Sequence, residues 1–324
     1  MFEGEYVNGE KHGPGKEYNS QGKLLFEGEF IKGKRNGKGK EYYTNGSVKF
    51  EGIYVMDIKN GIGKDYNSQG KLKFKGEYVN NERDLGKEFN DKNGELIFEG
   101  KFNKGMKWDG IGIEYNNFGK KIFNGEYSKG LRNGKGREFN SKGQLIFRGL
   151  YLDGERNGKG KEYYNDESVK FVGEYLKGKK NGNCKEYFYN GQIKFEGKYL
   201  EGKIWNGKGY NKKSDLEFTI KDGSGKVKEF NEFGSLIFEG DYSEGEREKG
   251  KEYSEVNGDL LFKGEYSDGK RNGKGEEFYY NGKILFKGEY KNGKRWNGKE
   301  YKNDVIEFEI EEGKRYKIMP TLDN

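Results

Sequence analysis

Glu27 and Glu29, two residues apart, are a pair whose type and spacing suit chemistry. On a strand they would stand roughly 6.6 Å apart, a separation that glycoside hydrolysis can use. The same pair recurs at Glu3 and Glu5. A catalytic pair has no reason to repeat unit after unit, whereas a solvated charged face does, with lysines such as Lys38 and Lys40 offsetting the repulsion. A Ser/His/acid or Cys/His site would need His12 or Cys184, the one histidine and one cysteine of the chain. Both occupy places that neighbouring units fill with ordinary residues, Asn36 for His12 and Gly160 for Cys184. Ligands for a zinc site are lacking, so no metal, no cofactor and no catalytic residue is expected. Glycine-rich stretches from Gly28 to Lys34 and from Gly288 to Lys294 approach a phosphate-binding loop. They lack its final Ser or Thr and join strand to strand where that loop needs a helix N-terminus, so they read as hairpin turns.

Three tryptophans carry the most specific signal. Ordinary units read Gly-Lys-Arg-Asn-Gly, as at Gly33 to Gly37, whereas three units add one residue there, always tryptophan: Trp108, Trp205 and Trp296. Nearly four repeats separate them, so they are expected to project from one long edge as contact points. Exposed indoles flanked by basic residues such as Lys34, Arg35, Lys294 and Arg295 suit docking to protein or to a membrane interface. The competing structural reading has each indole folded back over its own hairpin.

The elements that position these residues follow from periodicity. The phrase Phe-x-Gly-x-aromatic returns at Phe2, Phe26, Phe50, Phe74 and Phe98, and onward to Phe286, mostly every 24 residues. One unit runs Phe26-x-Gly28-x-Phe30, then Gly37-x-Gly39 and Tyr42, before Phe50 begins the next. Alternation with period two reads as strand, Asn-Gly and Gly-rich pairs read as tight turns, and no window shows helical spacing with caps. Each unit is one β-hairpin, marginal alone and stable only when stacked on neighbours. The expected fold is all-β: an elongated, single-layer, antiparallel sheet of stacked hairpins, open-ended and twisted. It should form a continuous array of about thirteen repeats over residues 1–316, with an irregular unit near 211–225 and a tail at 317–324. The glycine inside each strand is expected to make room for a ring from an adjacent strand, with Tyr42 or Tyr18 lying across Gly28 or Gly4. Asp57 and Asn81, standing where a turn glycine belongs, are expected to bend or loosen their hairpins.

This pattern resembles the MORN repeat family, whose units carry an aromatic-x-Gly-x-aromatic strand followed by a Gly-x-Gly strand, as Gly37-Lys38-Gly39 and Gly134-Lys135-Gly136 do here. Segments such as Tyr163-Tyr164 through Tyr175, and Tyr279 through Tyr290, look even more like the variant form of the repeat. The resemblance implies an elongated sheet used for scaffolding, for dimerisation, or for docking to protein or lipid partners.

Composition bounds the remaining classes. Only 31% of the residues are hydrophobic and 36% are charged, yet 25 Tyr and 23 Phe recur at fixed places, so aromatic packing must replace an aliphatic core. A net charge of +7 is modest for 324 residues and argues against a nucleic-acid partner. With one cysteine, no apolar leader and no membrane-length segment, a cytoplasmic location is expected, peripheral to a membrane or to the cytoskeleton. The leading expectation is a non-catalytic scaffold binding proteins, or a second copy through an uncovered edge strand at the N-terminal end. Binding of anionic phospholipids through basic turns, and regulation of a separate enzyme, are the alternatives. Residues 318–321 are expected to fold over the last strand as a cap.

Overall fold

The computed structural model describes residues 1–318, all of them in strands, turns or short connections. The strands are β1 (Phe2–Val7), β2 (Glu10–Tyr18), β3 (Leu24–Ile31), β4 (Lys34–Tyr42), β5 (Val48–Val55), β6 (Ile58–Tyr66), β7 (Leu72–Val79), β8 (Glu82–Phe89), β9 (Leu96–Asn103), β10 (Met106–Tyr115), β11 (Lys121–Ser128), β12 (Leu131–Phe139), β13 (Leu145–Leu152) and β14 (Glu155–Tyr163). They continue as β15 (Val169–Leu176), β16 (Lys179–Tyr187), β17 (Ile193–Leu200), β18 (Lys203–Tyr210), β19 (Leu216–Ile220), β20 (Gly225–Phe230), β21 (Leu236–Ser243), β22 (Glu246–Tyr253), β23 (Leu260–Ser267), β24 (Lys270–Phe278), β25 (Ile284–Lys291), β26 (Lys294–Lys302), β27 (Val305–Glu311) and β28 (Lys314–Lys317). The chain divides into two compact units, Met1–Glu155 and Arg156–Asn324. In the first, β1 to β13 pair each with the next in one open antiparallel ladder. In the second, β14 to β19 form one such ladder and β20 to β28 another.

Hairpin tips are tight because two successive residues hold positive φ, as Lys32 (50°) and Gly33 (78°) do. That is the twist-matched turn that antiparallel strands prefer. The opposite ends are closed by asparagine: Asn19 Oδ1 accepts from the amides of Gln21 and Lys23. Asp57 and Asn81 also sit at positive φ, 71° and 70°, but they do not loosen their hairpins as expected. Asp57 Oδ1 accepts from the Arg35 amide and Asn81 Oδ1 from the Lys59 amide, each at 2.8 Å, so both side chains tie a tip to the preceding repeat.

The core is a row of rings on one face. In unit 1, Phe26, Phe30, Phe50, Tyr54, Phe74 and Tyr78 are buried and meet edge to face. Centroids lie 5.2 Å apart for Phe26–Tyr54 and 5.1 Å for Phe50–Tyr78, contacts that cross from one hairpin to the next. Each such pair adds about 0.5–1.5 kcal/mol beyond the area it buries, and supplies the stability that no lone hairpin has.

Glycine is required beneath this row. Gly28 pairs with Gly39, and Gly39 with Gly52, in a line running across the strands. A Cβ on Gly39 would collide with Cζ of Phe26, and one on Gly28 would stand 2.9 Å from the same atom. The covering ring is therefore Phe26, from the same strand, and not Tyr42 or Tyr18. Tyr42 lies on the other face and gives its hydroxyl to Glu27, because residues of adjacent parity on a strand point to opposite faces.

The irregular unit breaks the second unit's sheet. Ile220 and Val227 take the two glycine-line positions and are both buried. Between them an isolated Lys221–Ser224 bridge replaces the ladder. Here the turns that follow β16 and β20 approach each other: the rings of Phe188 and Phe230 meet at 6.2 Å, and the Tyr189 amide donates to the Glu232 carbonyl at 2.9 Å. Within the expected cap, the Ile318 amide donates to the Glu307 carbonyl; residues 319–321 lie outside the described residues.

Candidate functional site

Above the ring row runs a second layer of alternating cations and carboxylates. The Arg35 guanidinium lies 4.2 Å over Phe26 and reaches Glu17 of the preceding repeat at 2.6 Å and Glu41 of its own at 3.3 Å. Lys59 repeats this over Phe50, 3.2 Å from Glu41, and Arg83 over Phe74, between Asp65 and Glu88. In unit 2, Arg271 spans Glu252 and Glu277 above Phe262, and Arg295 spans Glu277 and Glu300 above Phe286. An isolated surface pair of this kind contributes about 0–1 kcal/mol. Linked pairs resting on rings are partly shielded from water and hold each repeat to the next. Burial works against the charge of Glu17, but hydrogen bonds from Lys11 and Arg35 outweigh it and hold its carboxyl below the usual range. Glu252 is held down in the same way by Arg271.

This layer corrects one expectation. Arg35 and Arg295 are spent inside the ring face and are half-buried, so they are not free basic contacts. Lys34 and Lys294, beside them, are exposed at the hairpin tips.

The tryptophans are also differently placed. None sits in a projecting loop; each is the one unpaired residue of a β-bulge within a strand, between Lys107 and Asp109, Ile204 and Asn206, or Arg295 and Asn297. All three are half-buried. Each carbonyl accepts from the turn glycine of the following hairpin: Trp108 from Gly130, Trp205 from Gly223 and Trp296 from Gly313, at 2.8–2.9 Å. The Trp205 indole lies against Gly223 and that of Trp296 against Gly313, with Lys291 Nζ 4.4 Å from the centre of the Trp296 ring. Ordinary repeats place three residues, Asn36, Gly37 and Lys38, where these place a tryptophan and one polar residue, a difference of pairing that the spacing alone does not display.

Cys184 occupies the glycine line, paired with Gly173 and Gly197 and buried, and burial pushes its thiol up to about 12. A thiol so raised is a poor nucleophile. His12 pairs with Glu5 next to the bulge of β2. Among the described residues no three His, Cys, Asp or Glu side chains converge as a metal site would require. Glu27 faces Lys40 across the ladder and Glu51 bonds Lys64, the charged face that their recurrence implies.

The face opposite the rings is open. In unit 1 it carries a groove of about 560 Å³ whose floor is the bare backbone of Gly28, Gly39, Gly52 and Gly63. Ile53, Ile62 and Lys38 line one side, and Lys40, Glu51 and Lys64 the other. A second groove of about 440 Å³ shares Ile62, Gly63 and Lys64 with it and continues past Leu85 to Gly100. Sequence reasoning passed over these aliphatics. They were legible as departures from the repeat, because Ile53 stands where Glu29 and Glu77 stand in neighbouring units, and Ile62 where Lys38 does.

Known proteins agree with the repeat. The MORN repeat matches residues 2–23, 26–48, 123–144, 147–169, 171–193 and 262–284, and the MORN repeat variant matches residues 59–80. No curated protein matches. Among solved structures the chain is similar to TcdB2-TccC3, at 9% identity and a TM-score of 0.23, covering 91% of this chain and 15% of that one. It is also similar to virginiamycin B lyase from Staphylococcus aureus, at 12% identity and a TM-score of 0.21, covering 97% of each. At such TM-scores neither likeness carries an argument about fold or function. The repeated matches, the stacked hairpins and the ring row over its glycine line place this chain in the MORN repeat family.

Proposed function

We propose that the chain is a non-catalytic repeat scaffold that holds protein partners along its open face. One observation carries this reading. The ring face is closed by its own cations and carboxylates, whereas the opposite face keeps large aliphatic side chains in water, Ile62 at 62% exposure and Ile111 at 58%. A strongly hydrophilic chain gains nothing in folding from such residues, and an exposed apolar patch rimmed by charge is the mark of an interaction surface. The grooves are shallow and lined by one sheet, which suits a macromolecular surface better than enclosure of a small substrate.

The test is affinity capture with the intact chain, followed by reconstitution with each purified protein retained. Saturable, stoichiometric binding that survives moderate salt supports the scaffold; absence of any such partner overturns it.

A second reading has its own observation. Hairpin tips of unit 1 expose aliphatics beside lysines, such as Ile31 with Lys32 and Lys34, and Met106 with Lys104. That pairing suits the interface of an anionic membrane. Salt-sensitive sedimentation with phosphatidylserine vesicles, in place of protein capture, would favour it. Sedimentation equilibrium of the chain alone tests self-association, the remaining form of partner binding.

A further inference from the structure

The charged pattern of the open face is interrupted singly at Ile111 and Leu150 and, in one cluster, on β5 to β8. On β5 to β8, Ile53, Ile62 and Leu85 replace the glutamate or lysine that other repeats carry, and Val55 and Val79 lie at the hairpin tips. Ile62, Leu85, Val55 and Val79 are 62%, 50%, 44% and 48% exposed. Burying even one such side chain is worth about 1.5–3 kcal/mol, and the fold leaves that unused. Ile53, Ile62 and Leu85 line the two joined grooves, which cross seven strands from β3 to β9. We propose that this groove is the docking site for an acidic amphipathic helix of a protein partner, an assignment that rests on the scaffold reading.

Two physical constraints select that occupant. The floor is glycine backbone already paired in the ladder, Gly52 with Gly39 and Gly63, so an incoming chain finds no free amide or carbonyl and cannot add as a strand. It must arrive with its own backbone satisfied, which an α-helix does. The second constraint is charge. Lys64 is paired with Glu51, Lys87 with Glu99, and Glu27 takes the Tyr42 hydroxyl. Lys38, Lys40 and Lys75, which line the same groove, form no ion pair among the described residues. Five lysines thus line the grooves against three glutamates, Glu27, Glu51 and Glu99, so the aliphatic anchors sit within a net positive rim, and the complement is a stripe of apolar side chains flanked by carboxylates. Six inter-strand steps of about 4.8 Å give a span of roughly 29 Å, or about 19 helical residues.

The probe is a labelled helical peptide of about 20 residues with leucines on one stripe and glutamates beside it, read by fluorescence anisotropy against the full chain. A control peptide carries lysine for every glutamate. The surface variant is Ile53→Glu with Ile62→Lys and Leu85→Lys, which restores charged residues found at these places in other repeats, and its unchanged circular dichroism and melting temperature confirm folding. The acidic peptide is expected to bind at micromolar concentration, about tenfold or more weakly to the variant. Lys38→Gln with Lys40→Gln and Lys75→Gln should weaken binding and flatten its salt dependence. No binding of the acidic peptide, equal binding of the lysine peptide, or indifference to the surface variant overturns the assignment. Loss of a dimer, or of vesicle binding, in the surface variant without any peptide binding would also overturn it, by giving the patch to a second copy or to lipid. Should captured partners bind the surface variant as well as the native chain, this surface is wrong while the scaffold reading stands.

Discussion

The regular ladder of unit 1 and the irregular hairpin of unit 2 are built from one repeat and differ in what stands on the glycine line. At Gly28, Gly39 and Gly52 the backbone is bare, a phenylalanine ring lies over it, and an arginine or lysine closes the ring from above. At Ile220 and Val227 that line is filled by side chains, and the connection between β19 and β20 is four residues, 221–224. The preceding strand also lacks the ionic layer, with Ile204 in the arginine place and Gly209 in the glutamate place. Phe218 still finds a ring, stacking with Phe195 at 6.3 Å, but no continuous row passes through it. Pairing stops there. Glycine lets the rings lie flat on the backbone; single side chains on the line, Cys184 and Ile310, leave the ladder continuous, whereas Ile220 and Val227 in succession pack a local core where the ladder ends.

The sharpest way to break this comparison is to remove a ring from each region. Phe50→Ala deletes a fully buried ring that touches Tyr54, Tyr78 and Lys59, and should cost about 3–5 kcal/mol. Phe218→Ala removes a half-exposed ring and should cost less than half as much, both read from urea denaturation of the full chain. Equal losses would show that the ring row is not what holds the ladder.

Exchange of the glycine-line residues comes next. Gly39→Val drives a side chain into Phe26 and should destabilise by about 1–3 kcal/mol, with hydrogen exchange quickening in β3 to β5. Val227→Gly leaves a void and should loosen only the strands around β20. A neutral Gly39→Val would refute the steric role of the line.

Acid separates the regions through their ionic layer. Glu17 and Glu252 have folded pKa values below those of the unfolded chain, because hydrogen bonds from their basic partners outweigh burial. Their contribution is full above the unfolded value, roughly 4.3 for glutamate, and is lost as pH falls through the lower folded value. The melting temperature should hold between neutrality and about pH 5 and drop below about pH 4.3. Amide protection should fade first along the regular ladders and last around Ile220 and Val227. A uniform loss would place the acid sensitivity elsewhere.

The smallest effect belongs to a single tie between repeats. Asp57→Gly keeps the positive φ but removes the acceptor of the Arg35 amide, and should lower stability by about 1 kcal/mol or less, seen as faster exchange at that amide.

Much of the fold was legible because the repeat states it many times. The strands around Phe26 and Phe50 and the glycine-rich tips lie where periodicity puts them. The site was less legible. Trp108, Trp205 and Trp296 read as loop insertions because their neighbours spell an ordinary tip with one residue added, yet they are bulge residues whose strands pair differently. Asp57 looked like a defect because glycine is the usual answer to positive φ; its carboxylate, bonded to the preceding repeat, was the reason for it. Ile53 and Ile62 drew no attention because a single aliphatic in a strand is unremarkable until its face is known.

By itself the sequence determined the all-β class, the hairpin as unit, the stacking of units and the dependence on rings, because period-two alternation, positive-φ turns and a recurring aromatic are local properties written into consecutive residues. Tertiary structure alone decided which ring covers which glycine, which arginines are consumed in the ionic layer, and which face remains open. Those depend on the register between strands, and a shift of one residue moves every side chain to the other side of the sheet.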